Sequence, residues 1–123
     1  MPTALSSAAA RDDGARLAQL RGQQRRPHEA SFFWFDAQLG CEAVKVLPGQ
    51  WFVAGDDGSG RELLIQTTLG SCIAACLWDR RTRLGGLNHF MLPHGGDGGR
   101  YGAYAMELLI NELMRRGAAR AHL

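Results

Sequence analysis

The chain has 123 residues, and its 14 basic and 12 acidic side chains give a formal net charge of +2. This length predicts a single domain. Nine residues of each sign follow residue 30, so no basic stripe for nucleic acid is predicted. No apolar run approaches the roughly 20 residues that a membrane-spanning helix requires, and the three cysteines follow no secretory signal. The composition therefore predicts a soluble, cytoplasmic, monomeric protein with free thiols.

The first 30 residues differ in composition from the remainder. They are rich in Ala, Arg, Gln and Ser, with only a weak helical stripe through Leu17 and Leu20. Such a segment buries too little apolar surface to order itself. We therefore expect a disordered leader over residues 1–30 and a domain over residues 31–123. The alternative for the leader is a helix that folds on a partner.

Short strands and turns are predicted in the first half of the domain. The aromatic residues 32–35 are expected in the core, with an exposed anchor for another protein as the alternative. The GDDGSG segment lacks the Lys-Ser/Thr pair of a phosphate-binding loop and is interpreted as a hairpin turn. Strands are predicted over residues 43–47, 50–53 and 62–68, with Pro48-Gly49 as a turn between the first two.

The second half of the domain is predicted to form a hairpin, a loop and a helix. Residues 73–78 are a near-continuous apolar run, typical of a strand buried on both faces, and residues 84–92 form the second strand. Residues 94–102, HGGDGGRYG, predict a mobile loop, with a lid over substrate as the alternative. An apolar stripe predicts a helix over residues 101–116 that packs on the sheet, with Gly117 as its C-cap.

Cys72 and His89 are the candidate nucleophile and base. If the hairpin turn is centred between Arg80 and Arg81, Cys72 lies directly opposite His89, with Cβ atoms roughly 4.5–5.5 Å apart. An imidazole in that position favours the thiolate form of the cysteine. A register shift of one residue would place the two side chains on opposite faces.

The residues beside Cys72 suggest how an oxyanion would be stabilised. Gly70 and Ser71 leave the backbone near the sulfur uncluttered, so their N–H groups or that of Cys72 are candidate donors. A lone cysteine in an apolar strand is more often a small buried hydrophobe. That interpretation is given to Cys41 and Cys76.

A zinc site is the competing interpretation of the same segment. Cys72-x3-Cys76 and His89-x4-His94 have the loose spacing of a zinc finger. A finger requires both histidines on one helix, and Pro93 between them opposes that. The two cysteines would also lie roughly 13 Å apart on one strand. We therefore predict no metal and no cofactor.

Two motifs resemble the CheD family of chemoreceptor glutamine deamidases: LGSCIAACLWD followed by GGLNHFMLP. The likeness extends through VKVLPGQWFVAGDD and RYGAYAMELLINELMRRGA and covers roughly residues 31–120. It implies a Cys-His-Thr triad of Cys72 as nucleophile, His89 as base and Thr67 as the third member, with Thr68 as the alternative. It also implies an α/β layered sandwich related to the catalytic domain of cytotoxic necrotizing factor toxins.

The resemblance implies deamidation of glutamines in methyl-accepting chemotaxis receptors, with methylesterase activity as a side reaction. It also implies a CheC-type phosphatase as a further partner. Family members continue beyond the last predicted helix, whereas this chain stops at Leu123, so it is expected to lack the C-terminal part of the fold. The alternative function is an inactive, CheD-like adaptor that binds receptors or the phosphatase.

Overall fold

The computed structural model of the chain describes residues 14–56, 60–92 and 98–123. Within these ranges it contains two α-helices, six β-strands and a short 3₁₀ helix. In chain order these are α1 (Ala15–Gly22), β1 (Phe32–Asp36), β2 (Cys41–Lys45), β3 (Trp51–Ala54), β4 (Leu63–Gln66), β5 (Cys76–Asp79), β6 (Leu84–Asn88), α2 (Gly98–Arg115) and the 3₁₀ helix Arg120–His122.

The strands form two three-stranded sheets. One has the order β1-β2-β4, in which β1 and β2 are antiparallel and β2 and β4 are parallel; the other has the antiparallel order β3-β6-β5. One apolar cluster joins the two sheets through Phe33, Val44 and Phe52. A second cluster joins β3 and β6 to α2 through Val53, Leu109 and Leu113. The described residues therefore form a small layered α/β domain, as predicted.

The connections around β3 differ from the sequence prediction. Gly49 has a φ of 85° and Gln50 donates to the Leu47 carbonyl at 2.9 Å, which confirms the turn at Pro48-Gly49. The chain changes sheet at this turn, however, because β3 pairs with β6. The interpretation of GDDGSG as a hairpin turn is wrong, because the strands on either side of it, β3 and β4, lie in different sheets and do not pair. Residues 57–59 of this segment lie outside the described residues.

The predicted leader contains a helix in its second half. Residues 1–13 lie outside the described residues, and disorder there stays a prediction. In α1, Leu17 is buried against the cluster between the sheets and Leu20 packs beside it. Arg16 donates to Glu42 at 2.9 Å, and Arg21 donates to the Phe33 carbonyl at 2.8 Å. The weak apolar stripe suffices because the helix packs on β1 and its arginines find buried acceptors.

The β5–β6 hairpin has a register two residues away from the predicted one. Asp79 pairs with Leu84 and Cys76 with Leu87, so the turn is centred between Arg81 and Thr82. Asp79 Oδ1 accepts from the N–H groups of Arg81 and Thr82 at 2.8 and 3.3 Å. This side-chain capping favours the four-residue turn, and a two-residue offset preserves which face each side chain occupies.

The prediction that residues 73–78 form a strand buried on both faces is wrong. β5 lies at the edge of its sheet, and Trp78 is 51% exposed. The regular strand begins only at Cys76, and before it Ile73 forms an isolated bridge with Phe90. The apolar run is therefore shared between an edge strand and the segment that leads to it.

α2 confirms the predicted helix and begins earlier than expected. Leu109 and Leu113 are fully buried, while Gly117 adopts a φ of 117° and ends the helix by donating to Met114. Of the predicted glycine loop, residues 93–97 lie outside the described residues and residues 98–102 belong to the helix. Neither described helix has the length and apolar character needed to cross a membrane.

Candidate functional site

The site is centred on His89, which follows β6 and is 4% exposed. Along β6, Leu84 packs toward α2 and Leu87 packs between the two sheets. Alternation along the strand turns Asn88 toward α2 and His89 toward the other sheet. The backbone of His89 is bonded to the two residues that precede β3. Its N–H donates to the Gln50 carbonyl at 3.1 Å, and its carbonyl accepts from the Gly49 N–H at 2.8 Å.

The Thr67 hydroxyl contacts the His89 imidazole. Its Oγ1 lies 2.7 Å from His89 Nδ1 and 2.6 Å from the Val46 carbonyl oxygen. A carbonyl can only accept, so the hydroxyl proton goes to Val46 and Oγ1 accepts from Nδ1–H. This arrangement favours the tautomer with the proton on Nδ1 and a lone pair on Nε2.

The other imidazole nitrogen is available for chemistry. Nε2 is buried and has no hydrogen-bond partner within the described part of the chain. Buried polar atoms are nearly always paired, so one that is left unpaired requires an explanation, of which a catalytic role is one. The ring therefore has one nitrogen fixed by Thr67 and the other free to take up a proton.

Cys72 lies between β4 and β5 and is partly buried. Its neighbour Ile73 exchanges two backbone hydrogen bonds of 2.9 Å with Phe90, the neighbour of His89. In that antiparallel register Cys72 and His89 are diagonal neighbours on one face, for which the typical Cα separation is roughly 7–8 Å. The direct opposition expected from a turn between Arg80 and Arg81 is wrong, whereas the shared face is retained.

The backbone beside Cys72 carries unused donors. Among the described residues, the N–H groups of Gly70, Ser71 and Cys72 donate no hydrogen bond. Gly70 and Ser71 are exposed, and a Cβ added at Gly70 would meet nothing within 4 Å. A ligand can therefore approach this turn closely.

The remaining candidates lie away from the imidazole contact. Thr68 is exposed, and Cys76 is exposed on the edge strand β5. Cys41 begins β2, where burial and the Asp36 carboxylate raise the pKa of its thiol. No group of three metal-ligating side chains occurs in residues 14–56, 60–92 and 98–123, and His94 lies outside them.

Two contributors were not predicted from the sequence. The Val46 carbonyl orients Thr67, and a backbone atom leaves no side-chain signal. Asn88 is 3% exposed, and its side chain bonds to Ala75 and Ala105. Asn88 had a signal, because it is an amide within the apolar run GGLNHFML, and a buried amide must find partners.

A small cavity of about 180 Å³ lies beside the backbone of His89. It is mostly apolar and is bounded by α2 on one side and by the β3 and β6 termini on the other. Its aromatic lining includes Trp51, Phe90 and Tyr101, and the last two rings pack edge to face with centroids 6.5 Å apart. The aromatic residues therefore pack next to the segment that carries His89.

Comparison with known proteins shows what the chain is similar to. The chain is 56% identical over 122 residues to a protein of Albidiferax ferrireducens named probable chemoreceptor glutamine deamidase CheD 1; the match covers 97% of this chain and 48% of that protein. Proteins named probable chemoreceptor glutamine deamidase CheD from Bordetella petrii and Thiobacillus denitrificans are 52% and 47% identical over 100 and 102 residues. Each match covers 76% of this chain, and 43% and 48% of the respective relative.

The chain resembles the CheD family. It spans about half the length of the CheD relatives it matches. No model of a protein family matches it, and no solved structure does. The match to the A. ferrireducens CheD protein covers nearly the whole chain, so Thr67, Cys72 and His89 lie within a region shared with that family.

Proposed function

We propose that this chain carries the thiol site of a CheD-type deamidase, which converts glutamine side chains of chemotaxis receptors to glutamate. The observation that carries the proposal is the imidazole of His89, with Nδ1 on the Thr67 hydroxyl and Nε2 without a partner among the described residues. The relatives' names supply the substrate, since they are called chemoreceptor glutamine deamidases.

In the first half of the reaction, His89 Nε2 takes the proton of the Cys72 thiol and the sulfur attacks the glutamine carboxamide carbon. The carbonyl oxygen becomes an oxyanion, for which the N–H groups of residues 70–72, unbonded within the described part of the chain, are the donors. The imidazolium then gives its proton to the amide nitrogen. The C–N bond breaks, ammonia leaves, and a thioester remains.

In the second half, water attacks the thioester carbon while His89 Nε2 takes a proton from it. The C–S bond breaks, the sulfur recovers its proton from the imidazolium, and a glutamate side chain is released. Thr67 accepts from Nδ1–H throughout, so the ring keeps its orientation in both protonation states. A glutamate methyl ester is attacked by the same route, with methanol leaving in place of ammonia.

The test is incubation of the chain with a receptor cytoplasmic fragment, followed by mass spectrometry of its glutamine-containing peptides. We expect conversion of glutamine to glutamate by the wild-type chain and none by Cys72→Ala or His89→Ala. Cys76→Ala is the matched control and should retain full activity. Full activity in Cys72→Ala would overturn the proposal. Binding of the fragment without conversion by any form would favour the adaptor function instead.

The proposal also includes the protein's localisation, its oligomeric state, its partners and the likeness of its fold. We place the protein in the cytoplasm as a monomer that acts on receptor cytoplasmic segments, with a CheC-type phosphatase as a second partner. The layered sheets and the loop-borne cysteine support a likeness to the catalytic domain of cytotoxic necrotizing factor toxins. Size-exclusion chromatography with a CheC-type protein tests both the oligomeric state and the partner.

A further inference from the structure

Asn88 connects three parts of the fold beside the site. Its Oδ1 accepts from the backbone N–H of Ala75 at 2.8 Å, and its Nδ2 donates to the Ala105 carbonyl of α2 at 3.2 Å. Its own backbone N–H donates to the Ala75 carbonyl at 3.1 Å. The side chain is thus held at both ends in a buried position.

The bond to Ala75 replaces a rung of the β-ladder. Ile73 and Phe90 exchange both of their backbone hydrogen bonds, so the pair two residues along, Ala75 and Asn88, is due to do the same. Only one of those two bonds is made between backbones, and the Ala75 N–H is bound by the Asn88 side chain instead. Regular β5 begins after this point, at Cys76.

This substitution occurs where the cysteine segment meets the histidine strand. Ala75 is three residues after Cys72, and Asn88 immediately precedes His89. The Asn88 side chain thus takes the place of its own carbonyl at the Ala75 N–H, while the Asn88 N–H keeps its backbone bond to the Ala75 carbonyl. The path of residues 72–75 relative to β6 therefore depends on Asn88.

We propose that Asn88 is a positioning residue, which sets the placement of Cys72 relative to His89 through its bond to the Ala75 N–H. The inference rests on the proposed function, since it assigns the pair a joint reaction. The Asn88 side chain is not one of the reacting groups, which are the Cys72 thiol and the His89 imidazole. It acts on them through the backbone, by its bond to Ala75 on one strand and as the residue before His89 on the other. Its second bond, to Ala105, fixes the amide against α2 so that Oδ1 points at Ala75.

The experiment compares Asn88→Ala, Ala75→Pro and their double variant with wild type. Ala75→Pro removes the N–H donor while leaving Asn88 in place. The first readout is kcat for deamidation of a receptor fragment. The second is the pH profile of Cys72 alkylation by iodoacetamide, with Cys41 and Cys76 as internal references in the same molecule. Asn111→Ala, on the exposed face of α2, is the matched control.

Each single variant is expected to lose about 100-fold in kcat, the size typical of misplacing a catalytic group by about 1 Å. The double variant should lose little more, because both changes remove one interaction. Cys72 alkylation should lose its His89-dependent component at neutral pH, while Cys41 stays slow as in wild type. Asn111→Ala should match wild type in both readouts.

Three results would overturn the inference. Unchanged kcat and alkylation in Asn88→Ala is the first, and additive losses in the double variant are the second. The third is equal, fast alkylation of all three cysteines in Asn88→Ala, since the residue would then hold the fold and not the site. Failure of the proposed function is distinct, because wild type itself would then show neither deamidation nor His89-dependent alkylation.

Discussion

The Thr67 hydroxyl lies 2.7 Å from His89 Nδ1 and accepts a hydrogen bond from it, because the hydroxyl's own proton goes to the Val46 carbonyl 2.6 Å away. Thr67→Val keeps the shape of the side chain and removes the acceptor. We expect kcat for deamidation to fall about 100-fold, since the imidazole loses its orientation. Steady-state kinetics on a receptor fragment measure the loss.

Thr68→Val is the control for that experiment, because Thr68 is exposed and adjacent in sequence. It should change kcat by less than about twofold, as is usual for surface substitutions. A larger loss in Thr68→Val than in Thr67→Val would show that the third member of the triad has been assigned to the wrong threonine.

Cys41 and Cys76 should differ in the rate at which iodoacetamide alkylates them. Burial, together with the Asp36 carboxylate, raises the pKa of Cys41, so less of this thiol is ionised at neutral pH. Its alkylation should therefore be slower than that of exposed Cys76 at pH 7 and should accelerate as the pH rises. Peptide mapping across a pH series gives both rates. Equal rates at neutral pH would contradict the expectation.

α2 packs closely over Gly86. A Cβ built there would lie 2.9 Å from Leu109 Cδ1 and 3.2 Å from Val53 Cγ2. Gly86→Ala should therefore lower the free energy of unfolding by about 1–3 kcal/mol, the usual cost of overpacking. Urea denaturation measures the change.

Gly102→Ala is the contrasting variant within α2. Its added Cβ would meet Leu92 and Phe90 at 3.4 Å, an ordinary contact, and alanine is the better helix former. The free energy of unfolding should stay level or rise by up to about 1 kcal/mol. If both alanine variants were equally destabilised, close packing over Gly86 would not be the cause.

Because of Asp79, the free energy of unfolding should decrease at acidic pH. Burial raises the pKa of this carboxyl, but N–H donors from Ala119, Arg81 and Thr82 outweigh it and hold the pKa below its usual range. The folded state thus favours the charged form. Its contribution is complete above the unfolded pKa of about 3.9 and is lost as the pH falls through the lower folded value. Urea midpoints between pH 7 and pH 3 follow the loss.

Asp79→Asn tests the same carboxylate at constant pH. The amide keeps one acceptor for the turn but cannot accept from Ala119 through its nitrogen. It should be less stable than wild type at pH 7 and should show a smaller dependence on acid. Asp36→Asn is the matched control, because one oxygen accepts both turn bonds there. Equal destabilisation of the two variants would argue against the role of Ala119.

The sequence predicted the positions of helices and strands better than it predicted which strands pair with one another. The helix over residues 101–116 was recognisable because its apolar stripe has the helical period and Gly117 ends it. β1 was not predicted as a strand, since its aromatic residues show no alternation. The partners of β3 and β4 were missed because local turn signals cannot report that the chain changes sheet after Gly49.

The contact between Thr67 and His89 was predictable from the sequence, and the register of the β5–β6 hairpin was not. Cys72 and His89 stand in motifs that resemble those of CheD, and the period of a strand places both on one face for any even offset. The register of the β5–β6 hairpin depended on Asp79. Its Oδ1 caps the turn locally, and its Oδ2 makes a tertiary hydrogen bond with Ala119. The choice between Thr67 and Thr68 depended on which hydroxyl reaches the His89 imidazole. Two adjacent threonines by themselves give no sequence signal for that.

The two oxygens of Asp79 also set an order of assembly. Oδ1 caps a turn two and three residues away, so the hairpin can begin to form as soon as its own residues have been synthesised. Oδ2 accepts from Ala119, 40 residues later. Until that residue arrives the carboxylate cannot be buried with both oxygens satisfied. The β5–β6 hairpin is therefore expected to reach its final packing only after the segment that follows α2 has docked.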